Sequence, residues 1–281
     1  MTGAPIAEQT ILFNSNLYVR LFKIAWVKID PDWWNLHTTQ SSFWRFYLNY
    51  EAGAEVEVAG IRSPLLPEHL YVIPAGVKFV THITRDVGQF YIHFDVIGLP
   101  HMANSDLFRS VITLPDMPDI AAQTYRLARD VRAGKNDAIQ LQCRSSALLY
   151  QSLGCFFEHL SAEQQLRYAD QSTAVEPVRP AIHAIETHYS DHMSNAELAQ
   201  LCCMSETYFI TRFRKCVGLT PGQYLQAYRI RMVSQALLFS DATVDQVAEK
   251  NGFPSRSHFI RTFRRHTGMT PTQYRQQPSL W

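Results

Sequence analysis

The feature that most restricts how this chain can fold is a stretch written twice near its C-terminus. Leu198–Tyr224 reads LAQLCCMSETYFITRFRKCVGLTPGQY, and Val247–Tyr274 reads VAEKNGFPSRSHFIRTFRRHTGMTPTQY. Ala199 recurs as Ala248 at an offset of 49. Phe209, Phe213, Gly218, Thr220, Pro221, Gln223 and Tyr224 recur as Phe259, Phe263, Gly268, Thr270, Pro271, Gln273 and Tyr274 at an offset of 50, so one residue is inserted near Pro254. Two copies are too few for a solenoid, which needs about three or more stacked units. The pattern implies a doubled module with two working surfaces.

The ends of the helices are written into both copies. Ser194 and Glu197, Thr220 and Gln223, Thr243 and Gln246, and Thr270 and Gln273 each have the spacing at which a hydroxyl and a Glu or Gln satisfy free N–H groups of a first turn. Pro221 and Pro271 follow two of these caps, where a missing N–H costs nothing. Gly218 and Gly268 suit left-handed C-terminal caps. Copy one then reads as a helix over Asn195–Cys202, a turn over Cys203–Ser205 and a helix over Glu206–Val217. Copy two reads as Val244–Asn251, Gly252–Ser255 and Arg256–Thr267. Each copy is a helix-turn-helix, whose second helix enters a major groove with its N-terminal residues nearest the bases.

Helix phase sorts the side chains. Phe209 and Phe213, and Phe259 and Phe263, lie four apart and face a core. The opposite faces show Glu206, Thr207, Ile210 and Thr211 in copy one and Arg256, Ser257, Ile260 and Arg261 in copy two. These are the candidate base contacts, with arginine suited to guanine and Ser or Thr to several bases. Arg212, Arg214, Lys215, Arg264 and Arg265 are the candidate phosphate contacts. Charge agrees. Residues 178–281 carry 12 Lys/Arg against 7 Asp/Glu, or +5, and residues 1–177 carry 14 against 18, or −4, giving the net +1 of the chain. A basic half points to a polyanion, double-stranded DNA, as its partner. One apolar helix from Pro221 to about Ser240 joins the copies. Its length, roughly 28 Å, is of the order of the roughly 34 Å between successive major grooves on one side of a duplex.

The first 115 residues read differently. Phe43–Tyr50, Ala54–Ile61, His69–Gly76, Lys78–Thr84 and Gln89–Val96 are aromatic or β-branched runs between glycines and prolines, which predicts short antiparallel strands in a barrel or a sandwich. In the last run Phe90, Ile92, Phe94 and Val96 share one face, and Gln89, Tyr91, His93 and Asp95 the other. Trp44, Arg45, Tyr47, Tyr91 and His93 are the candidate effector-binding residues. Rings with a few hydrogen-bonding groups suit a small polar ligand such as a sugar. His37, His69, His82 and His93 form no metal-ligand spacing, so neither metal nor cofactor is expected, and no catalytic motif is present. Cys143, Cys155, Cys202, Cys203 and Cys216 lack a paired spacing and read as reduced thiols. Residues 116–165 turn helical, with one helix around Ile120–Val131, a break at Gly134–Asn136 and a second over Asp137–Leu160. Part of this segment is expected to pack on the barrel and part, within 118–160, on a second copy. Residues 166–177 are polar with Pro177 and read as a linker to the domain over 178–281. The N-terminal MTGAPIAEQT is no signal peptide, and no apolar run spans a bilayer, so a cytoplasmic protein without a membrane partner is expected.

The second copy, with Gly252-Phe253, Phe259, Arg261, Phe263, Gly268, Pro271 and Tyr274-Arg275, resembles the AraC/XylS family of bacterial transcription regulators. Tyr228-Arg229-Ile230 and Ala236-Leu237-Leu238 of the joining helix match as well. The resemblance covers about 100 residues. It implies an α+β two-domain chain, a cupin-like antiparallel β-barrel with two packing helices followed by an all-α domain of two helix-turn-helix modules on a linking helix. It places Arg256, Ser257 and Arg261, with Thr207, Ile210 and Thr211 in copy one, at base-contacting positions. The family often has Arg-Leu-Phe where this chain has Thr211-Arg212-Phe213. Ile73–Gly76 and Tyr91–Val96 are similar to the family's cupin-like sensor barrels, which bind small effectors, often sugars, without a metal. The resemblance implies a regulator, more often an activator, dimeric through the helices after the barrel, with RNA polymerase as a further partner. Two alternatives stand beside it. One is a metal-dependent cupin enzyme, with His82 and His93 as its ligands, fused to a DNA-binding domain; the other is a non-specific architectural binder.

Overall fold

The computed structural model describes residues 17–35, 39–99, 107–135 and 137–276. Residues 1–16, His37 and Asn136, on which parts of the sequence reading rest, lie outside the described residues. Nine strands are described: β1 (Tyr18–Ile29), β2 (Thr39–Gln40), β3 (Trp44–Asn49), β4 (Ala54–Val58), β5 (Ile61–Leu65), β6 (Leu70–Ile73), β7 (Lys78–Ile83), β8 (Val87–Ile97) and β9 (Ile112–Thr113). They form two antiparallel sheets, one in the order β1-β8-β3-β6-β9 and the other β2-β7-β4-β5. A short helix α1 (Pro31–Trp34) lies between β1 and β2.

The long strand β8 shows why several runs are apolar on both faces. Phe90, Ile92, Phe94 and Val96 join Trp44, Phe46 and Leu48 of β3 in one core, shared with helices α2 (Pro118–Arg132) and α3 (Ala138–Glu158). Tyr91 joins Tyr47, Tyr71 and Ile73 in a second core that also takes Val56, Phe79 and Ile83 from the other sheet. The first half of the chain is therefore three layers, helices on sheet on sheet. Burial of both faces of the middle layer removes the polar face that an outer strand would show.

Three expectations are corrected here. The sheets do not close into a barrel. Closure would need pairing between the outer strands of the two sheets, and no such ladder joins them among the described residues. The edge strand β5 carries Pro64, which has no N–H to give a further strand. The second correction is β1, which the strand reading passed over. It pairs with β8 from Tyr18 opposite Ile97 to Ile29 opposite Val87, with a register shift between Leu21 and Lys23 that leaves Phe22 as an extra residue. A bulge of this kind reverses the alternation. Val19 and Leu21 before it, and Ile24 and Trp26 after it, all pack on the helix-side core. The third is the expected linker. Residues 162–175 form helix α4 (Ala162–Val175), started by a full Ser161–Gln164 capping box and followed by a 3-10 turn over Glu176–Val178. Its polarity reflects exposure on nearly every side, while Val175 and Val178 anchor its end in the C-terminal core.

The C-terminal half is all helical: α5 (Arg179–Thr187), α6 (Asn195–Leu201), α7 (Glu206–Val217), α8 (Pro221–Phe239), α9 (Val244–Lys250), α10 (Arg256–Thr267) and α11 (Pro271–Arg275). The four capping boxes form as the spacing predicts. Gly218 and Gly268 end α7 and α10 in the left-handed conformation. The module cores are separate, one around Phe209 and Phe213 and one around Phe259 and Phe263. Among the described residues no helix is long and apolar enough to cross a membrane.

Gly252 shows how tightly the two modules meet. It sits at φ 75°, and a Cβ there would run into the carbonyl oxygen of Ser190, a backbone atom of the other module. Gly252→Ala is expected to lower the unfolding free energy by about 1–3 kcal/mol, since left-handed strain alone is of that order. Thermal and denaturant unfolding check it.

Candidate nucleic-acid interface and the seam behind it

Each recognition helix is held by its phenylalanines. Phe209, Phe213, Phe259 and Phe263 are wholly buried, and Tyr224 and Tyr274 close on the second ring of each pair at 5.8 and 5.3 Å. With that face fixed, the opposite face must point to solvent. Glu206, Thr207 and Thr211 on α7, and Arg256, Ser257 and Arg261 on α10, are exposed, as are Arg214, Lys215, Arg264 and Arg265. Ile210 and Ile260 are half-buried and also pack against their module cores. Arg212 is half-buried as well.

The two faces differ in detail. Thr211 donates its hydroxyl back to the Thr207 carbonyl at 3.1 Å. On α10 the Arg256 guanidinium reaches Asp245 of α9 at 3.3 Å, and Arg265 donates to Gln226 of α8 at 3.0 Å. The reading of the sequence missed Tyr208, a ring 57% exposed on α7 beside Thr207. Its signal was an aromatic next to a phenylalanine already committed to the core. The turn of copy one also departs from copy two, with Cys203 at φ 54° standing where Gly252 stands at φ 75°.

Residues 198–277 match the family model described as a helix-turn-helix domain. Over 77 residues the chain is 37% identical to the HTH-type transcriptional regulator AlkR of Acinetobacter baylyi, covering 27% of this chain and 25% of that one. Over 73 residues it is 35% identical to the probable transcriptional regulator LumQ of Photobacterium leiognathi, covering 26% and 29%. These matches thus span less than a third of either relative. The domain over these residues is thus of the AraC type. A solved structure of ToxT from Vibrio cholerae, titled as bound to an unsaturated fatty acid, aligns over 94% of this chain and 97% of that one. The TM-score is 0.50 and the identity 9%, a likeness of fold alone.

In this chain the linking helix α8 of the AraC-type domain is also the surface on which the sheets rest. Asp95 of β8 is fully buried. Its Oδ1 accepts from Arg231 of α8 and from the Val96 backbone N–H. Its Oδ2 accepts from Gln235 of α8 at 2.8 Å and from Arg20 of β1 at 3.4 Å. Arg20 also donates to Gln235, and Gln235 donates to the Ser42 carbonyl at 3.0 Å. Beside this network Phe22, the bulge residue, stacks on Phe239 at the end of α8, 4.8 Å between centroids, and Phe43 meets Phe239 edge-on at 5.2 Å. Phe43 belongs to the same core as Phe259 and Phe263.

The proposed effector residues do not form one group. Arg45, Tyr47, Tyr91 and His93 share the inner face of the larger sheet, with Arg45 opposite His93 and Tyr47 opposite Tyr91. Trp44 is corrected. It points to the other face and packs on Phe94 and Phe108 at 6.0 and 4.8 Å, because side chains alternate along a strand. Arg45 is buried, donates to the Ser41 hydroxyl and lies over the Phe43 and Phe79 rings at 4.5 and 5.1 Å. His93 packs on Tyr91 at 4.5 Å and on Phe43 at 4.7 Å, and lies 6.2 Å from Phe239. Burial, and then the Arg45 and Lys23 charges, push the His93 imidazole well below its usual range. Burial pushes the Tyr91 hydroxyl up to about 12. The reading missed Lys23 and the whole Asp95 network; an aspartate inside the apolar run YIHFDV was the available signal.

Removing the Asp95 charge would leave Arg231 without its buried counter-ion and turn one of the two acceptor oxygens into an NH2 that faces a donor. Asp95→Asn is expected to cost about 3–5 kcal/mol of stability, as for one partner of a buried pair. Arg20→Met, at the partly exposed end, is expected to cost about 1 kcal/mol or less. Urea unfolding of the two variants checks the ranking.

Proposed function

We propose that this chain is a sequence-specific, DNA-binding transcription regulator of the AraC type, and not an enzyme, whose N-terminal half senses a small molecule. The observation that carries the reading is the pair of exposed faces on α7 and α10. Each bears hydroxyls or arginines in the first turns and cations further on, and each is fixed by two wholly buried phenylalanines. Relatives matched over this region are named as transcriptional regulators.

Arg256, Ser257 and Arg261 are assigned to base edges, with Thr207 and Thr211 opposite smaller acceptors and Ile210 toward a thymine methyl. Arg264 and Arg265, with Arg214 and Lys215, are assigned to phosphates. The effector is assigned to the inner face around Arg45, Tyr47, Tyr91 and His93, where the tyrosine rings and hydroxyls suit a polar molecule of sugar size. Its occupancy acts on α8 through His93, Phe43 and Phe239, and coupling requires that it bind two arrangements of that seam with different affinity. A homodimer through α2 and α3 is supported by the outward face of α3, where Ile139 is 76% and Tyr150 42% exposed. Activation, contact with RNA polymerase and a cytoplasmic location extend the same reading.

Selection of binding sites from random duplexes supplies the test. On the selected site Arg261→Ala is expected to cost about 1–3 kcal/mol and to relax preference at one base pair. Arg265→Ala is expected to weaken selected and random duplexes alike and to reduce the salt slope by about 1. Equal affinity of the unaltered protein for selected and random duplexes would overturn the reading in favour of an architectural binder.

A further inference from the structure

The repeat lets each helix-turn-helix be set against the other, and the two part at one ring. Tyr208 stands in the first turn of α7, and His258 holds the same place in α10, at the repeat's offset of 50. His258 is half-buried and packs on Phe253 at 6.1 Å. Copy one has Met204 where copy two has Phe253, so Tyr208 finds no ring at that place to fold onto. It stays 57% exposed, and among the described residues no hydrogen bond or ring contact ties it down.

Its position on the helix decides what it can meet. Residues three and seven apart lie on one side of a helix, so Tyr208 lines up with Thr211 and Lys215, both exposed. With Phe209 and Phe213 turned into the core, that line is one flank of the reading face. A major groove about 12 Å wide holds a helix of about 10–12 Å with little to spare, so side chains on a flank reach the phosphates that line it.

Charge points the same way. On α10 four arginines are exposed, Arg256, Arg261, Arg264 and Arg265, with no acid. On α7 two cations are exposed, Arg214 and Lys215, beside the acid Glu206. Module one therefore brings less positive charge to a duplex. Thr211, on the same flank, has turned its hydroxyl back to the Thr207 carbonyl. A neutral donor is what this flank has left to offer, and tyrosine hydroxyls are among the groups that hold phosphate oxygens. A ring with two rotatable bonds also loses little freedom when held.

Resting on the DNA-binding reading above, we infer that Tyr208 is a backbone contact of module one. Its hydroxyl donates to a phosphate oxygen beside α7, and its ring lies against the adjoining deoxyribose. It positions α7 and selects no base. Copy two lacks a counterpart, because His258 is drawn in on Phe253. The two modules thus hold the duplex differently, copy two by charge and copy one in part by a neutral hydrogen bond.

The test uses the full chain, with anisotropy titrations of a selected and a random duplex over a salt series. Tyr208→Phe removes one hydroxyl from an exposed side chain, and its melting temperature is expected to match that of the unaltered protein. Its affinity is expected to fall about tenfold on both duplexes, as for a hydrogen bond to a charged group. The slope of log affinity against log salt is expected to stay the same, since a neutral group releases no counterion. Lys215→Met, for comparison, is expected to reduce that slope by about 1. In selected duplexes carrying a single methylphosphonate at successive positions, one position is expected to weaken the unaltered protein while Tyr208→Phe loses no more there. If Tyr208→Phe binds every duplex as the unaltered protein does, the inference falls alone, and the exposed ring is left to a protein partner. If it shifts preference at one base pair, Tyr208 reads a base and the phosphate assignment is wrong. If the unaltered protein binds no duplex at all, the DNA-binding reading falls and takes this inference with it.

Discussion

A carboxylate taken wholly out of water has to be met by positive charge or hydrogen-bond donors, since an isolated buried ion is far too costly. Asp95 is met from both halves of the chain, by Arg20 in β1 and by Arg231 and Gln235 in α8. The consequence is positional. Arg231 and Gln235 are four apart on one helix, so satisfying both sets the rotation of α8 as well as its distance from the sheet. The two modules pack on α8, one near its start through Tyr224 and one near its end through Leu237 and Leu238. A single buried charge therefore helps to set how both helix-turn-helix modules sit relative to the sheets.

The aromatic contacts beside it follow from the β1 bulge. Without the extra residue Phe22 would occupy an ordinary ladder position. With it, the chain can place Arg20 opposite Asp95 and Lys23 opposite His93 while Phe22 stacks on Phe239. The same local irregularity supplies the seam with a ring and the inner face with two basic groups. Bulges re-aim side chains in this way without breaking the strand.

That irregularity also explains which parts of the molecule could be read in advance. The helices of the second half announce themselves locally. Capping boxes, first-turn prolines and terminal glycines each act within a few residues, and the repeat states them twice. In the first half the decisive features are non-local. β1 loses its period at Phe22, so its pattern belongs to neither face until β8 is laid beside it. Asp95 in YIHFDV looks like one polar position among several until its partners arrive from about 140 residues away. Trp44 stands next to Arg45 among the candidate effector contacts, yet adjacent strand residues face opposite ways. The exposed helix α4 resembled a linker because polarity alone does not separate a solvated helix from a tether. Its Ser161–Gln164 box was the discriminating signal.

The residues that carry the family likeness turn out to be framework more than reading surface. Arg229 donates to the Tyr189 and Asp191 carbonyls at 2.5 and 2.8 Å, tying α8 to the loop before α6. Gly252 then abuts Ser190 in that same loop. Arg275 donates to the Leu237 and Ala242 carbonyls at 3.0 and 2.6 Å, closing the end of α8 onto α11. Tyr224 donates to Glu186 at 2.7 Å at the start of α8. These ties leave the modules little freedom to change their separation, because they hold α8 to elements of both modules and Gly252 meets Ser190 directly. Under the proposed function, a duplex whose grooves recur at about 34 Å must then meet a spacer of roughly 28 Å. Any mismatch falls on the DNA, as bending, and sequence-dependent stiffness at base pairs the protein never touches becomes part of its specificity.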